Sequence, residues 1–261
     1  MKKHTMLRPL FLRSLFSAAL LFPFPFSLFT FPLSPLSPPR GESERGFSLF
    51  TLSAQPVMMR DVFAAMPDSI APLVSKNNRL DCIDFIENNM EARVRNALDE
   101  YVTLEALTTD YARFRTSPSS FLEMKLLPAA SPDTTFLLCL VRTIQAGEPD
   151  TPRRLEDSNI QFFHADWSPL DSTTSALPRF SLPSVSAFVT SAPATSASDS
   201  LHQALRSLDS FHPVRLALSP DSVTMTATLQ PAYLDKYERQ LITPLLRPLR
   251  FRWDGTRFTL P

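Results

Sequence analysis

The sequence predicts an α+β fold: N-terminal helices plus a largely antiparallel β-sheet, then a C-terminal helix and β-hairpin. Three observations carry this. Apolar residues recur at helical spacing over 58–90, and the period switches to two after residue 100. Asp254-Gly255 then stands between two alternating segments near the C-terminus. Short strands with short connections imply antiparallel pairing.

The elements follow in order. Met59, Val62, Phe63 and Met66 predict a short amphipathic helix over 58–66, stopped by Pro67-Asp68. Asp68 suits the N-cap of a second helix to about Lys76, with Pro72 tolerated in its first turn. Asn78 suits the cap of a third helix, 79–90, with Leu80, Ile83, Ile86 and Met90 on its core face and Cys82 and Phe85 alongside. Val102, Leu104 and Ala106 then alternate with polar residues, as do Leu122, Met124 and Leu126 with Glu123 and Lys125. Phe136–Ile144 reads as a central strand and Ile160–Trp167 as another, with shorter strands at Arg93–Leu98 and Tyr111–Arg115.

Residues 168–200 are rich in Ser, Thr, Ala and Pro, a long surface loop or linker pinned by Phe180, Leu182, Val185, Phe188 and Val189. A helix over 199–209 follows, then a strand pair, Val214–Leu218 and Val223–Leu229. Pro231 opens a helix from about Ala232 to Ile242, with Leu234, Tyr237 and Leu241 on one face, and Pro244 ends it. Asp254-Gly255 signals a two-residue type I′ hairpin. That register opposes Trp253 to Thr256, Arg252 to Arg257, Phe251 to Phe258 and Leu249 to Leu260. It sets Arg250, Arg252 and Arg257 on the face away from the core.

The first 54 residues read as an export address. Lys2, Lys3, Arg8 and Arg13 precede a Phe/Leu-rich run over 15–33, and the tract ends Leu52-Ser53-Ala54-Gln55. Pro23, Pro25 and Pro32 interrupt the run. Two readings stand: a signal peptide cut after Ala54, or an uncleaved N-terminal anchor with 34–45 as tether. Either places 55–261 outside the cytoplasm, in the periplasm or outer envelope. The membrane enters only through the uncleaved alternative. Residues 55–261 then form a single α+β domain around the 168–200 stretch, with two small domains flanking it as the alternative.

Removing the first 54 residues leaves 20 basic and 24 acidic residues, a net charge of −4. A mildly acidic body predicts no nucleic-acid partner. Only Gly147 and Gly255 lie beyond residue 54. Dinucleotide loops, phosphate loops and the Gly-x-Ser-x-Gly elbow all need more glycine, so nucleotide cofactors and ordinary serine hydrolases are excluded and no cofactor is expected. Cys82 and Cys139 are the only cysteines, and export permits a disulfide between them. Both sit in apolar surroundings that equally suit buried free thiols.

Val62-Phe63-Ala64-Ala65-Met66-Pro67-Asp68-Ser69 and Asn77-Asn78-Arg79-Leu80-Asp81-Cys82-Ile83-Asp84-Phe85 resemble the opening of a Bacteroidales family of exported proteins of unknown function. Leu107-Thr108-Thr109-Asp110-Tyr111, Met124–Pro128 and Trp253-Asp254-Gly255 match its pattern too. The resemblance covers most of 57–260 and departs in the long N-terminal extension. It implies export and an α+β domain, and it brings no catalytic residues. Compartment and resemblance together imply O-glycosylation at Asp-Ser/Thr triplets. Ser172, in Asp171-Ser172-Thr173, is the foremost candidate, although Asp-Ser pairs also make caps and turns.

Candidate chemistry is sparse. His164 and Asp166 fall two apart on a strand, whereas a zinc site needs three or four convergent ligands, so no metal is expected. Asp81, Asp84 and Glu87 step along one helix side, where carboxylates serve acid/base work or, more commonly, a solvated face. Arg250, Arg252 and Arg257 form a candidate anion-binding face. These features predict a non-enzymatic cell-envelope protein that binds or scaffolds an envelope protein or polymer. The alternative is a hydrolase using carboxylate chemistry.

Overall fold

The computed structural model describes residues 56–130, 135–148, 151, 153–170, 178, 180–190 and 199–261. The export segment with Ala54, and Ser172, lie outside the described residues. Two antiparallel sheets organise the chain. The larger has six strands in chain order: β1 (Arg93–Arg95), β2 (Tyr101–Leu107), β3 (Tyr111–Ser117), β4 (Ser120–Pro128), β5 (Phe136–Ala146) and β6 (Leu155–His164). The smaller is formed by β7 (Val214–Leu218), β8 (Thr224–Leu229), β9 (Leu249–Trp253) and β10 (Phe258–Thr259), in the order β10-β9-β8-β7. The α+β expectation holds.

Helices α1 (Met59–Ala64) and α2 (Lys76–Glu87) cover one face of the larger sheet. There Met59, Phe63, Cys82 and Ile83 pack with Leu104, Phe114, Leu122, Met124 and Leu138 in a first core. The other face meets the smaller sheet in a second core. Leu127, Leu137, Cys139 and Val141 there join Leu216, Met225, Ala227, Phe251 and Trp253. Helices α3 (Val185–Phe188), α4 (Asp199–Ser210) and α5 (Lys236–Ile242) close this second core through Phe188, Leu208 and Ile242.

The structure corrects several expectations. Residues 68–74 form turns rather than a helix. Ser75, not Asn78, caps α2: its Oγ accepts from Asn78 N at 3.2 Å, and the Asn78 side chain accepts from Ser75 N. The buried residues of α2 are Arg79, Cys82 and Ile83, while Leu80 and Met90 are exposed. Arg79 explains the change. Its guanidinium donates to Met66 O at 2.6 Å, Val74 O at 2.7 Å and Asp68 Oδ1 at 3.0 Å. Those bonds satisfy the Met66 and Val74 carbonyls at the two ends of the turn segment.

Glu123 and Lys125 are buried, because the smaller sheet covers the face that alternation assigned to solvent. At the other end, α5 starts at Lys236 because Asp235 caps it, accepting from Glu238 N at 2.8 Å. Ile242 is buried and Tyr237 is exposed.

The C-terminal hairpin has a different register. Trp253 opposes Phe258 and Arg252 opposes Thr259, leaving a four-residue loop, Asp254–Arg257. Asp254 Oδ1 accepts from Thr256 N at 2.8 Å and Arg257 N at 2.9 Å, an Asx-type turn that replaces the tighter one. Gly255 adopts φ +104°, and an added Cβ would lie 3.1 Å from Ala130 Cβ. Arg257 therefore leaves the strand and pairs with Asp254 at 3.6 Å, while Leu260 is exposed.

No disulfide joins Cys82 and Cys139. Each is free and buried, one in each core on opposite sides of the larger sheet. Burial raises both thiol pKa values, that of Cys82 to about 11, so both remain neutral.

Candidate functional site

A densely charged cleft lies between the two sheets. Strand alternation puts Tyr111, Arg113 and Arg115 of β3 on the face toward the smaller sheet. Register opposes them to Lys125, Glu123 and Phe121 of β4. Beyond β4 the same face continues through Thr143 and Gln145 of β5 to Ser158 and Glu156 of β6. One end of this face is apolar and covered. The other is polar and opens into a cleft of about 330 Å³ lined by Arg113, Arg115, Gln145, Arg154, Glu156, Arg215 and Gln230. The wall carries four guanidinium groups against one carboxylate.

Carboxylates behind the wall hold the first two arginines. The ladder shifts register between Leu104 and Ala106, leaving Glu105 at a bulge. Its two oxygens accept from Arg113 Nε and Arg115 Nε, each at 2.6 Å. Burial opposes the Glu105 charge, but the two arginine hydrogen bonds outweigh it and lower its pKa. Glu123 Oε1 accepts from Arg113 Nη1 at 3.2 Å and Tyr111 Oη at 2.9 Å. Glu123 is far more deeply buried, and burial raises its pKa despite these partners. Arg113 also stacks over the Phe121 ring at 4.2 Å.

The network continues along the wall. Arg115 Nη1 donates to Gln145 Oε1 at 3.5 Å, and Gln145 Nε2 donates to Glu156 Oε1. Arg154 and Arg215 are held more loosely. They meet Glu156 as ion pairs at 3.8 and 3.2 Å, and Arg215 Nε is buried without a hydrogen-bond partner. The cleft thus has two anchored guanidinium groups and two with spare donors.

The residues singled out in the sequence lie elsewhere. Arg250 and Arg252 are exposed on the outer face of β9, and Arg257 has left that face for the loop. Asp81 and Asp84 are exposed on α2, and Glu87 is bound by Arg60 Nε at 2.6 Å. His164 ends β6 and Asp166 lies in the following turn, not on the strand. Both line a shallow cleft of about 480 Å³ beside Phe136 and Ser168. Among the described residues no three His, Cys, Asp or Glu side chains converge as metal ligands, and no helix is long and apolar enough to cross a membrane.

The cleft was missed because its arginines come from three distant segments. The nearest sequence signal was Tyr111-Ala112-Arg113-Phe114-Arg115, whose alternation puts both arginines on one face.

The family model described as "Protein of unknown function (DUF3256)" matches residues 50–258. The chain belongs to this family. Among solved structures it is similar to a domain of an uncharacterized protein from Porphyromonas gingivalis W83. The identity is 24%, the match covers 78% of this chain and 97% of that one, and the TM-score is 0.60. That likeness concerns the fold, and its source agrees with the Bacteroidales resemblance. No curated protein matches the chain.

Proposed function

We propose that this DUF3256-family member is an exported, non-enzymatic envelope protein that binds a negatively charged partner through the arginine cleft. The observation that carries this reading is the cleft wall: four arginines and one glutamate, with Arg113 and Arg115 pre-oriented by a shared carboxylate. Guanidinium groups held in place lose little freedom on pairing, and their planar forks suit carboxylate or phosphate oxygens. The excess positive charge sits in a concavity on a body whose net charge is −4, so attraction is local to the cleft.

Co-sedimentation of the protein with the envelope fraction of its own cells tests the reading. The wild type should pellet with envelopes and be released by salt, whereas the Arg154→Gln/Arg215→Gln variant should stay in the supernatant. Equal pelleting of both would contradict the site. Export has its own test: the exported protein should begin at Gln55, or retain its N-terminal segment in the membrane. A full-length chain confined to the cytoplasm would contradict it.

A further inference from the structure

We propose that the partner is an acidic polysaccharide, with one carboxylated sugar seated in the arginine cleft and following units on the outer face of the smaller sheet. This rests on the cleft being an anion site. The cleft is at the small end of ligand-site volumes, with room for a single sugar-sized group. Its lining is not purely donating. Glu156 faces the same space as the arginines, and Gln145 of β5 and Gln230, which follows β8, also line it. A bare phosphate or sulfate offers only acceptor oxygens and would meet repulsion at Glu156. A sugar acid brings both chemistries: its carboxylate accepts from arginine, and its hydroxyls donate to Glu156 and to the glutamine carbonyls.

The register of the smaller sheet extends this surface. Arg215 opposes Thr228, Thr226 opposes Arg250, and Thr224 opposes Arg252. The intervening residues Leu216, Met225, Ala227, Leu229 and Phe251 point into the core, so the arginines and threonines share the outer face. Arg215 belongs to both places. Its strand position is on this face, and its guanidinium reaches Glu156 in the cleft.

Cations and hydroxyls therefore alternate across three strands about 4.8 Å apart, roughly the span of a sugar ring. Within β7, β8 and β9 the apolar residue interspersed among them is Ala217. A protein partner would favour an aromatic or aliphatic anchor at the centre of its footprint. A hydroxylated, charged polymer needs none.

Calorimetric titration of the full-length protein at fixed ionic strength tests this with four probes: oligogalacturonate, free galacturonate, polyglutamate peptide and inorganic polyphosphate. Oligogalacturonate should bind, and Arg154→Gln/Arg215→Gln should weaken it about tenfold or more, consistent with losing charge-assisted hydrogen bonds. Arg250→Gln/Arg252→Gln should weaken the oligomer but not free galacturonate. Each variant's melting curve verifies that it is folded. Polyglutamate or polyphosphate binding at the cleft as tightly as oligogalacturonate, or instead of it, would overturn the glycan assignment and leave the anion site standing. Absence of cleft-dependent binding by every probe would overturn both.

Discussion

Two buried ionisable side chains show how single residues set the behaviour of this protein. Arg79 is almost completely buried and ties Met66, Asp68 and Val74 to α2. Arg79→Met keeps the apolar bulk but leaves the Met66 and Val74 carbonyls without their donor. An unsatisfied buried acceptor costs about 1–3 kcal/mol, so the variant should lose at least that in urea unfolding. Asp68→Asn should cost less than about 1 kcal/mol, because that carboxylate is largely exposed. Equal losses from the two variants would show that the exposed pair, not the carbonyl bonds, matters.

Glu123 makes the complementary case in pH. Its folded-state pKa is raised above the ordinary value of 4.5 by burial. The stability tied to its neutral form is therefore complete below about pH 4.5 and is lost as pH rises through the folded value. Glu123→Gln fixes a neutral group there, so the variant should gain stability relative to wild type as pH rises from about 4.5 toward neutrality. A constant difference across that range would contradict the assignment. Glu105 has the opposite sign: its lowered pKa gives stability that is present above about pH 4.5 and lost as pH falls below it.

At the scale of elements, the C-terminal hairpin joins the fold to its own end. Leu249, Phe251, Trp253 and Phe258 are buried, and Trp253 Nε1 donates to Pro128 O at 2.7 Å. Deleting 249–261 removes two strands, β9 and β10, and these side chains from the inter-sheet core. The truncated protein should show no cooperative thermal transition; a soluble truncation that melts cooperatively would contradict this. Alternation alone marked Leu249, Phe251, Trp253 and Phe258 as core positions, but it marked Leu260 too, which is exposed. Its register was not, because Asp254-Gly255 is compatible with both a two-residue and a four-residue loop, and the Asp254 side chain decides between them.

The same physics explains the other departures. Ser75 and Asp235 outcompeted Asn78 and Pro231 as helix starts, since each supplies an oxygen to a free N–H three residues on. The buried charges of β4 were hidden because alternation tells which residues share a face, not what covers that face. The strands themselves were largely visible, since their apolar periodicity is local.

For the whole molecule, the second core is decisive. It draws Leu127, Leu137 and Val141 from the larger sheet and Leu216, Met225 and Phe251 from the smaller one. The two sheets should therefore unfold together. The chain has two tryptophans, with Trp167 in the helix-side core and Trp253 in the inter-sheet core. Trp167→Phe and Trp253→Phe leave one fluorescent reporter each. Within each variant, fluorescence and far-ultraviolet dichroism should give coincident melting midpoints; separated midpoints would favour two independent domains.

The cleft belongs to this scale too, since Arg113 and Arg115, Arg154, and Arg215 meet only after both sheets have formed. No local motif announces it, unlike the Arg250 and Arg252 pair, which alternation exposed at once. Its central role is open to one direct measurement: the rate at which a dicarbonyl reagent modifies each arginine, with and without oligogalacturonate. Arg115, Arg154 and Arg215 should be protected, while Arg60 on α1 and Arg206 on α4 react unchanged. Protection that is absent, or spread evenly over all five, would contradict the arginine cleft as the binding site.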